Sequence, residues 1–337
     1  MCRSIKTLRR PEATATTGEI EAAARQFVRK LSGYREPSAR NTEAFEAAIV
    51  EVALASRRML ESIGVGADVA RSGGFGAWLA RHGLPPPYLP QGQRHDIGER
   101  SLYLDCRGSG SPTVVLEAGS GSDSATWSAV HDTIAATTRT CAYDRAGRGR
   151  SDDHERHTLA DAVADLRALL DAAGETGPFI IAGHSLGGSY ARVFASTYPD
   201  DVVGAVLVDS FEPDVQDDRI HPLLGELQPE YEAQLDGLRA HVARVDGLDW
   251  PASEEQLRAS SFEGIPLEVL VAARYEPRLD AATNEVIADA WRNGMEALSP
   301  GRTTYTIVYG AGHNIHIERP DTVIDAVRRL VEAARGA

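Results

Sequence analysis

The sequence predicts an α/β fold: a mostly parallel, doubly wound sheet in residues 93–337, preceded by a small helical hairpin. Three observations predict it. From residue 93 onward, short runs rich in Val, Ile and Leu alternate with amphipathic stretches, the pattern of buried parallel strands and their crossover helices. Before residue 93 the apolar residues fall at helical spacing instead. A polar, acidic stretch at about 212–263 interrupts the alternation once and reads as a helical cap inserted into the sheet domain.

Taken in order, residues 1–63 form the hairpin. Thr16 and Glu19 make a capping box ahead of Ile20, Ala24, Phe27 and Leu31, and Gly33 stops the helix. A second helix carries Phe45, Ile49, Val52, Met59 and Ile63 on one stripe. Residues 64–92, with Ser72-Gly-Gly and Pro85-Pro-Pro, are a linker. The start, Met-Cys-Arg-x-Ile-Lys-x-Leu, with Phe-Val-Arg-Lys-x-Ser-Gly at 27–33, resembles a small bacterial family of unknown function. That resemblance supplies no activity. Cys2 is a candidate thiol, and the hairpin a candidate surface for homo-oligomer formation.

In residues 93–337 the candidate strands are Ser101 to Cys106, Thr113 to Glu117, Thr140 to Tyr143, Phe179 to Ala182, Val202 to Val208, Leu267 to Val271 and Thr304 to Val308. Helices are expected at 125–137, 159–173, 186–197, 281–298 and 322–334, and within the insertion at 229–245 and 254–260.

Composition excludes several classes. With 337 residues, 42% hydrophobic and 25% charged, the chain is globular and not intrinsically disordered. The formal charge of −14 disfavours a polyanionic partner, so no nucleic acid is expected. No window approaches about 18 apolar residues, and no apolar run follows the basic start, so neither a membrane span nor a signal sequence is expected. A cytoplasmic location is the resulting expectation. Cys2, Cys106 and Cys141 are far apart and odd in number, which fits neither a disulfide framework nor a zinc spacing. Cys106 and Cys141 read as buried small hydrophobes. Lysine occurs only at Lys6 and Lys30, which rules out a P-loop, a Schiff base or a Ser-Lys dyad beyond them. Gly119-Ser-Gly121 lacks the third glycine of a dinucleotide loop, Ser124 standing there. No cofactor and no metal are expected.

The strongest motif is Phe179-Ile-Ile-Ala-Gly183-His184-Ser185-Leu186-Gly187-Gly188, an apolar strand running into G-x-S-x-G and then a helix. Such a turn must be so tight that only small residues fit two positions before and after the serine, and it presents the hydroxyl at the sheet edge. A serine nucleophile needs a base. His313, in Gly310-Ala-Gly312-His313 between the last strand and the last helix, is the candidate.

With the elbow, Glu117-Ala-Gly119-Ser120-Gly121 followed by Trp127, Tyr143-Asp144-Arg145-Ala-Gly147-Arg-Gly149, and Gly312-His313, residues 93–337 resemble the α/β-hydrolase fold. The resemblance implies a serine hydrolase with an oxyanion hole built from the backbone amides of Leu186 and Ser120. The third triad member is open between Asp209, at the end of the Val202 to Val208 run, and Glu276, after the next strand. Asp209 is favoured, because Ala273-Arg-Tyr-Glu departs from the Gly-x-x-Asp that many relatives carry. The expected function is hydrolysis of a carboxylic ester or related acyl bond of a small, neutral molecule through a Ser185 acyl-enzyme. The alternatives are an acyltransferase, a C–C hydrolase, a cofactor-free haloperoxidase, or a binding protein that keeps the fold. The insertion carries 13 acidic residues against 4 arginines, a charge that would repel anionic substrates.

Overall fold

The computed structural model describes residues 15–34, 91–155, 157–273 and 278–336, and scattered positions between 37 and 68. The chain divides into two compact units, Met1–Leu89 and Pro90–Ala337.

In the first unit, α1 (Thr17–Ser32) starts directly after Thr16. It ends at Gly33, whose φ of 73° is the left-handed conformation glycine adopts without strain. Ile20, Ala24 and Val28 are buried with Phe45, Ile49 and Ala53. The stripe expected to include Phe27 and Leu31 is rotated away from them: they are 45% and 78% exposed, and the i, i+4, i+8 row through Val28 faces inward instead. Ala15 and Thr16 pair in parallel with Ala67 and Asp68, a two-residue ladder with no sequence signal. Cys2, Met59 and Ile63 lie outside the described residues.

The second unit contains one eight-stranded sheet. Its strands are β1 (Gln93–Asp96), β2 (Ser101–Arg107), β3 (Thr113–Glu117), β4 (Thr140–Asp144), β5 (Phe179–His184), β6 (Val202–Val208), β7 (Leu267–Ala272) and β8 (Thr303–Val308). The order across the sheet is β8-β7-β6-β5-β3-β4-β2-β1, parallel from β8 to β4 and antiparallel where β2 and β1 join. Every residue of β3, β4 and β5 is buried, as expected of strands covered on both faces. On one face, α3 (Leu159–Ala172) and α4 (Leu186–Thr197) pack with apolar residues of the insertion. On the other, α2 (His131–Ala135) packs with residues of the C-terminal helix (Pro320–Gly336).

The insertion between β6 and β7 carries α5 (Gln228–Asp246) and α6 (Trp250–Arg258), followed after β7 by α7 (Ala281–Glu296). Part of its negative charge is paired. Arg239 and Arg258 both reach Asp217 and Glu254, and Arg192 binds Glu212 and Asp214. Arg239 and Arg258 already enter the formal count, so of these only Arg192, which lies outside the insertion, offsets the remaining charge. The single helix expected at 125–137 is broken into a 3-10 turn, Ser124–Trp127, and α2. Asp144 accepts the Ser124 amide at 2.8 Å and Asp123 the Ala125 amide at 3.0 Å, which tightens the turn over buried Trp127. No helix among the described residues is long and apolar enough to cross a membrane.

One expectation is overturned. Cys106 and Cys141 are not separate apolar fillers but a disulfide, and Cys106 is only half buried. They lie 35 residues apart in sequence, yet β2 and β4 are adjacent and antiparallel, which sets the two residues directly opposite with Cα atoms 4.0 Å apart. Nothing in the spacing reveals a sheet order that seats the second strand beside the fourth. A crosslink closing a 35-residue loop removes unfolded-state entropy worth about 3–4 kcal/mol. Reduction with dithiothreitol should therefore lower the melting temperature by on the order of 10 °C. An unchanged melting temperature, with both thiols shown free, would mean the bridge contributes no stability.

Candidate active site

Ser185 sits where β5 turns into α4, with φ 53° and ψ −123°. A β-carbon on Gly183 would come within 2.3 Å of the Gly187 carbonyl oxygen, and one on Gly187 within 2.3 Å of the Glu117 carbonyl oxygen. The small residues two before and two after the serine are thus required by backbone contact on both sides. The Ser185 amide donates to the Val208 carbonyl at 3.1 Å, and the Phe211 amide donates to the Ser185 carbonyl at 3.0 Å. Those two bonds flank Asp209 and hold the elbow against the end of β6.

Asp209 is buried, with a left-handed φ of 43° that aspartate tolerates better than most residues. Its two carboxylate oxygens point different ways: Oδ1 accepts the Ala272 amide at 3.0 Å, and Oδ2 accepts His313 Nδ1–H at 2.7 Å. The acceptor fixes the tautomer, leaving His313 Nε2 with its lone pair free to receive a proton. The His313 side chain is 52% exposed. Its loop is fastened by Glu318, which accepts the Gly312 amide at 2.7 Å, and by His184 Nε2–H, which donates to the His313 carbonyl at 2.9 Å. Between Ser185 and His313 there is no hydrogen bond among the described residues. Catalytic contacts of this kind are commonly long without substrate and tighten when it binds. Glu276 lies outside the described residues.

His316 is fully buried, bonded to Thr126 Oγ1 at 3.0 Å, with its ring 4.2 Å from that of His184 and 4.8 Å from Trp127. Burial lowers its pKa to about 3 and that of His184 to about 4, so both imidazoles are neutral around pH 7. Their folded values lie below the unfolded value of about 6.5. Stability is therefore complete above that pH. It falls as pH drops toward 4, because the unfolded chain takes up protons that the folded one refuses. Each histidine adds a slope of about 1.4 kcal/mol per pH unit. Urea melts at pH 7 and pH 5 should show the loss. A variant with Phe at both positions, if folded, should show a shallower dependence, and an equal slope would contradict the assignment.

Ser120 and Leu186, the expected oxyanion donors, have backbone amides that make no hydrogen bond among the described residues. Leu186 N is the first amide of α4, whose positive dipole end favours negative charge. Behind the Ser120 loop lies a set of buried charges that sequence reading did not single out. Arg145 donates to the Glu117 carboxylate, to the Ala118 carbonyl at 2.6 Å and to the Gly119 carbonyl at 2.7 Å. Asp246 accepts the Ser120 hydroxyl and, at 3.1 Å, the Gly121 amide. Arg145 could be found from its place two residues past the β4 tyrosine; Asp246, at the end of an insertion helix, carries no such signal.

A family model described as alpha/beta hydrolase matches residues 114–326, and the chain belongs to that family of hydrolytic enzymes. A second model, described as an uncharacterized conserved protein (DUF2277), matches residues 1–73. The uncharacterized protein YqjL of Bacillus subtilis is 28% identical over 221 residues, covering 64% of this chain and 82% of that protein. RutD of Azorhizobium caulinodans is 31% identical over 115 residues, 34% of this chain and 43% of its own length. The chain spans less than half the length of RutD and of several other curated relatives. Among solved structures, Lip1 of Acinetobacter baumannii aligns over 73% of this chain and 93% of its own, with TM-score 0.53 and 19% identity, a likeness of fold alone.

Proposed function

We propose that the enzyme hydrolyses a carboxylic ester or related acyl bond of a small molecule through a covalent Ser185 intermediate. The observation that carries this reading is the Asp209–His313 hydrogen bond of 2.7 Å at the same sheet edge on which the elbow presents Ser185. His313 Nε2 removes the Ser185 proton as Oγ attacks the carbonyl carbon. Negative charge on the carbonyl oxygen is met by the amides of Leu186 and Ser120. His313⁺, held by Asp209, then protonates the leaving alcohol. Water then attacks the acyl carbon as it gives a proton to the same imidazole, and collapse of the intermediate releases the acid while Ser185 Oγ takes that proton back from His313. The hydroxyl nucleophile favours acyl chemistry over the epoxide and haloalkane openings that this fold performs with an aspartate in the serine's position. A fluorophosphonate probe tests the assignment directly: it should modify Ser185 alone, and a folded protein that stays unmodified would remove the basis for acyl transfer.

A further inference from the structure

We infer that Asp246, carried by the insertion rather than by the sheet, is a positioning residue that locks the oxyanion loop, so that the hole is competent only while the end of α5 is seated on it. This inference rests on the acyl-transfer reading above.

Gly119 C=O and Ser120 N–H belong to one planar trans peptide and point in opposite directions. Whatever holds that carbonyl therefore aims that amide. Arg145 Nη2 holds it at 2.7 Å. Arg145 is itself held from two sides, by Glu117 on β3 and by Asp246 Oδ1 at 3.4 Å. Asp246 also takes the two groups that follow in the loop, the Ser120 hydroxyl and the Gly121 amide at 3.1 Å. One carboxylate thus fastens the loop on both sides of the Ser120 amide, directly through Ser120 and Gly121 and indirectly through Arg145.

Asp246 is badly placed for any purpose internal to its helix. It is the last residue of α5, next to left-handed Gly247, where the helix dipole opposes an anion, and it is buried. Burial works to raise its pKa, but Arg145, Ser120, the Gly121 amide and Arg148 together take it below the usual carboxylate range. The compensation comes entirely from the oxyanion loop and the arginines behind it. Arg148 reinforces the seat, lying 3.4 Å from Asp246 and donating to the neighbouring Val245 carbonyl. A β-carbon on Gly121 would sit 3.1 Å from Val245 Cγ1, so loop and helix end are also in close apolar contact.

The test compares Asp246→Ala, Asp246→Asn and Ser120→Ala with the wild type on an activated ester. Removing a whole oxyanion donor costs about two to three decades, so a loosened one should lower kcat by roughly tenfold to a hundredfold in Asp246→Ala. KM should stay within a small factor. Asp246→Asn, which keeps one acceptor oxygen for the loop, should recover part of the loss. A trifluoromethyl ketone, which mimics the tetrahedral oxyanion, should lose affinity in step with kcat, while a product acid should bind unchanged. A merely structural residue would lower the melting temperature without this split. If Asp246→Ala does not fold, Ser120→Ala decides alone: it keeps the backbone amide, removes the most direct of the three ties to Asp246, and should lower kcat by roughly threefold to tenfold. Unchanged kcat, or an effect confined to KM, overturns the inference. Wild type that fluorophosphonate modifies at Ser185, beside variants with full turnover, would sink this inference while leaving the acyl-enzyme intact; unmodified wild type would remove the acyl-enzyme itself.

Discussion

Ser185→Ala is expected to abolish turnover, with kcat falling by about six decades, since the nucleophile, its base and the acid act as one unit. Alanine keeps the β-carbon, so the strain at φ 53° is the same in both proteins and the variant should melt within a few degrees of the wild type. Fluorophosphonate modification should disappear with the activity. Retention of more than a thousandth of wild-type turnover in a homogeneous variant would mean that another group attacks the substrate. The contrast with any single oxyanion donor, about three decades at most, makes this the sharpest measurement available.

Asp209→Asn is expected to remove about four decades of kcat/KM while leaving substrate affinity and folding nearly intact. Asparagine is nearly isosteric and tolerates the φ of 43°, and its oxygen can still accept the Ala272 amide. The difference lies at the other atom. An amide nitrogen facing His313 Nδ1 is a donor, so the imidazole must turn Nδ1 into an acceptor and put its proton on Nε2, where it can no longer take one from Ser185. The same experiment separates the two carboxylates that the sequence leaves open. Were Glu276 the acid, Asp209→Asn would cost little and Glu276→Gln would carry the loss.

Much of this was legible in the chain because the relevant signals are local. The runs Thr113 to Glu117 and Val202 to Val208 and the helix 186–197 coincide with observed elements, since consecutive β-branched residues, or a helix opened by an elbow, leave few alternatives. The strand Gln93–Asp96 was invisible: it is a polar edge strand, paired on one side, and has no apolar alternation to read. The disulfide, the Arg145 network and Asp246 were missed for a different reason. Each depends on which distant segments the fold brings together, and neither strand order nor the seating of α5 is encoded in spacing. Asp209 stood between, with a local signal as a strand-end carboxylate, while its contact with His313 depends on how the fold seats β6 beside β7.

The position of the Cys106–Cys141 bridge has one more consequence. Across the parallel strands Cys141 is level with Ile181, four residues before Ser185, so about 13 Å of strand separates the crosslink from the Ser185 hydroxyl, with β3 lying between β4 and β5. Opening it should therefore erode heat tolerance and leave the pace of the reaction at moderate temperature untouched, which makes durability and speed separately adjustable in this molecule.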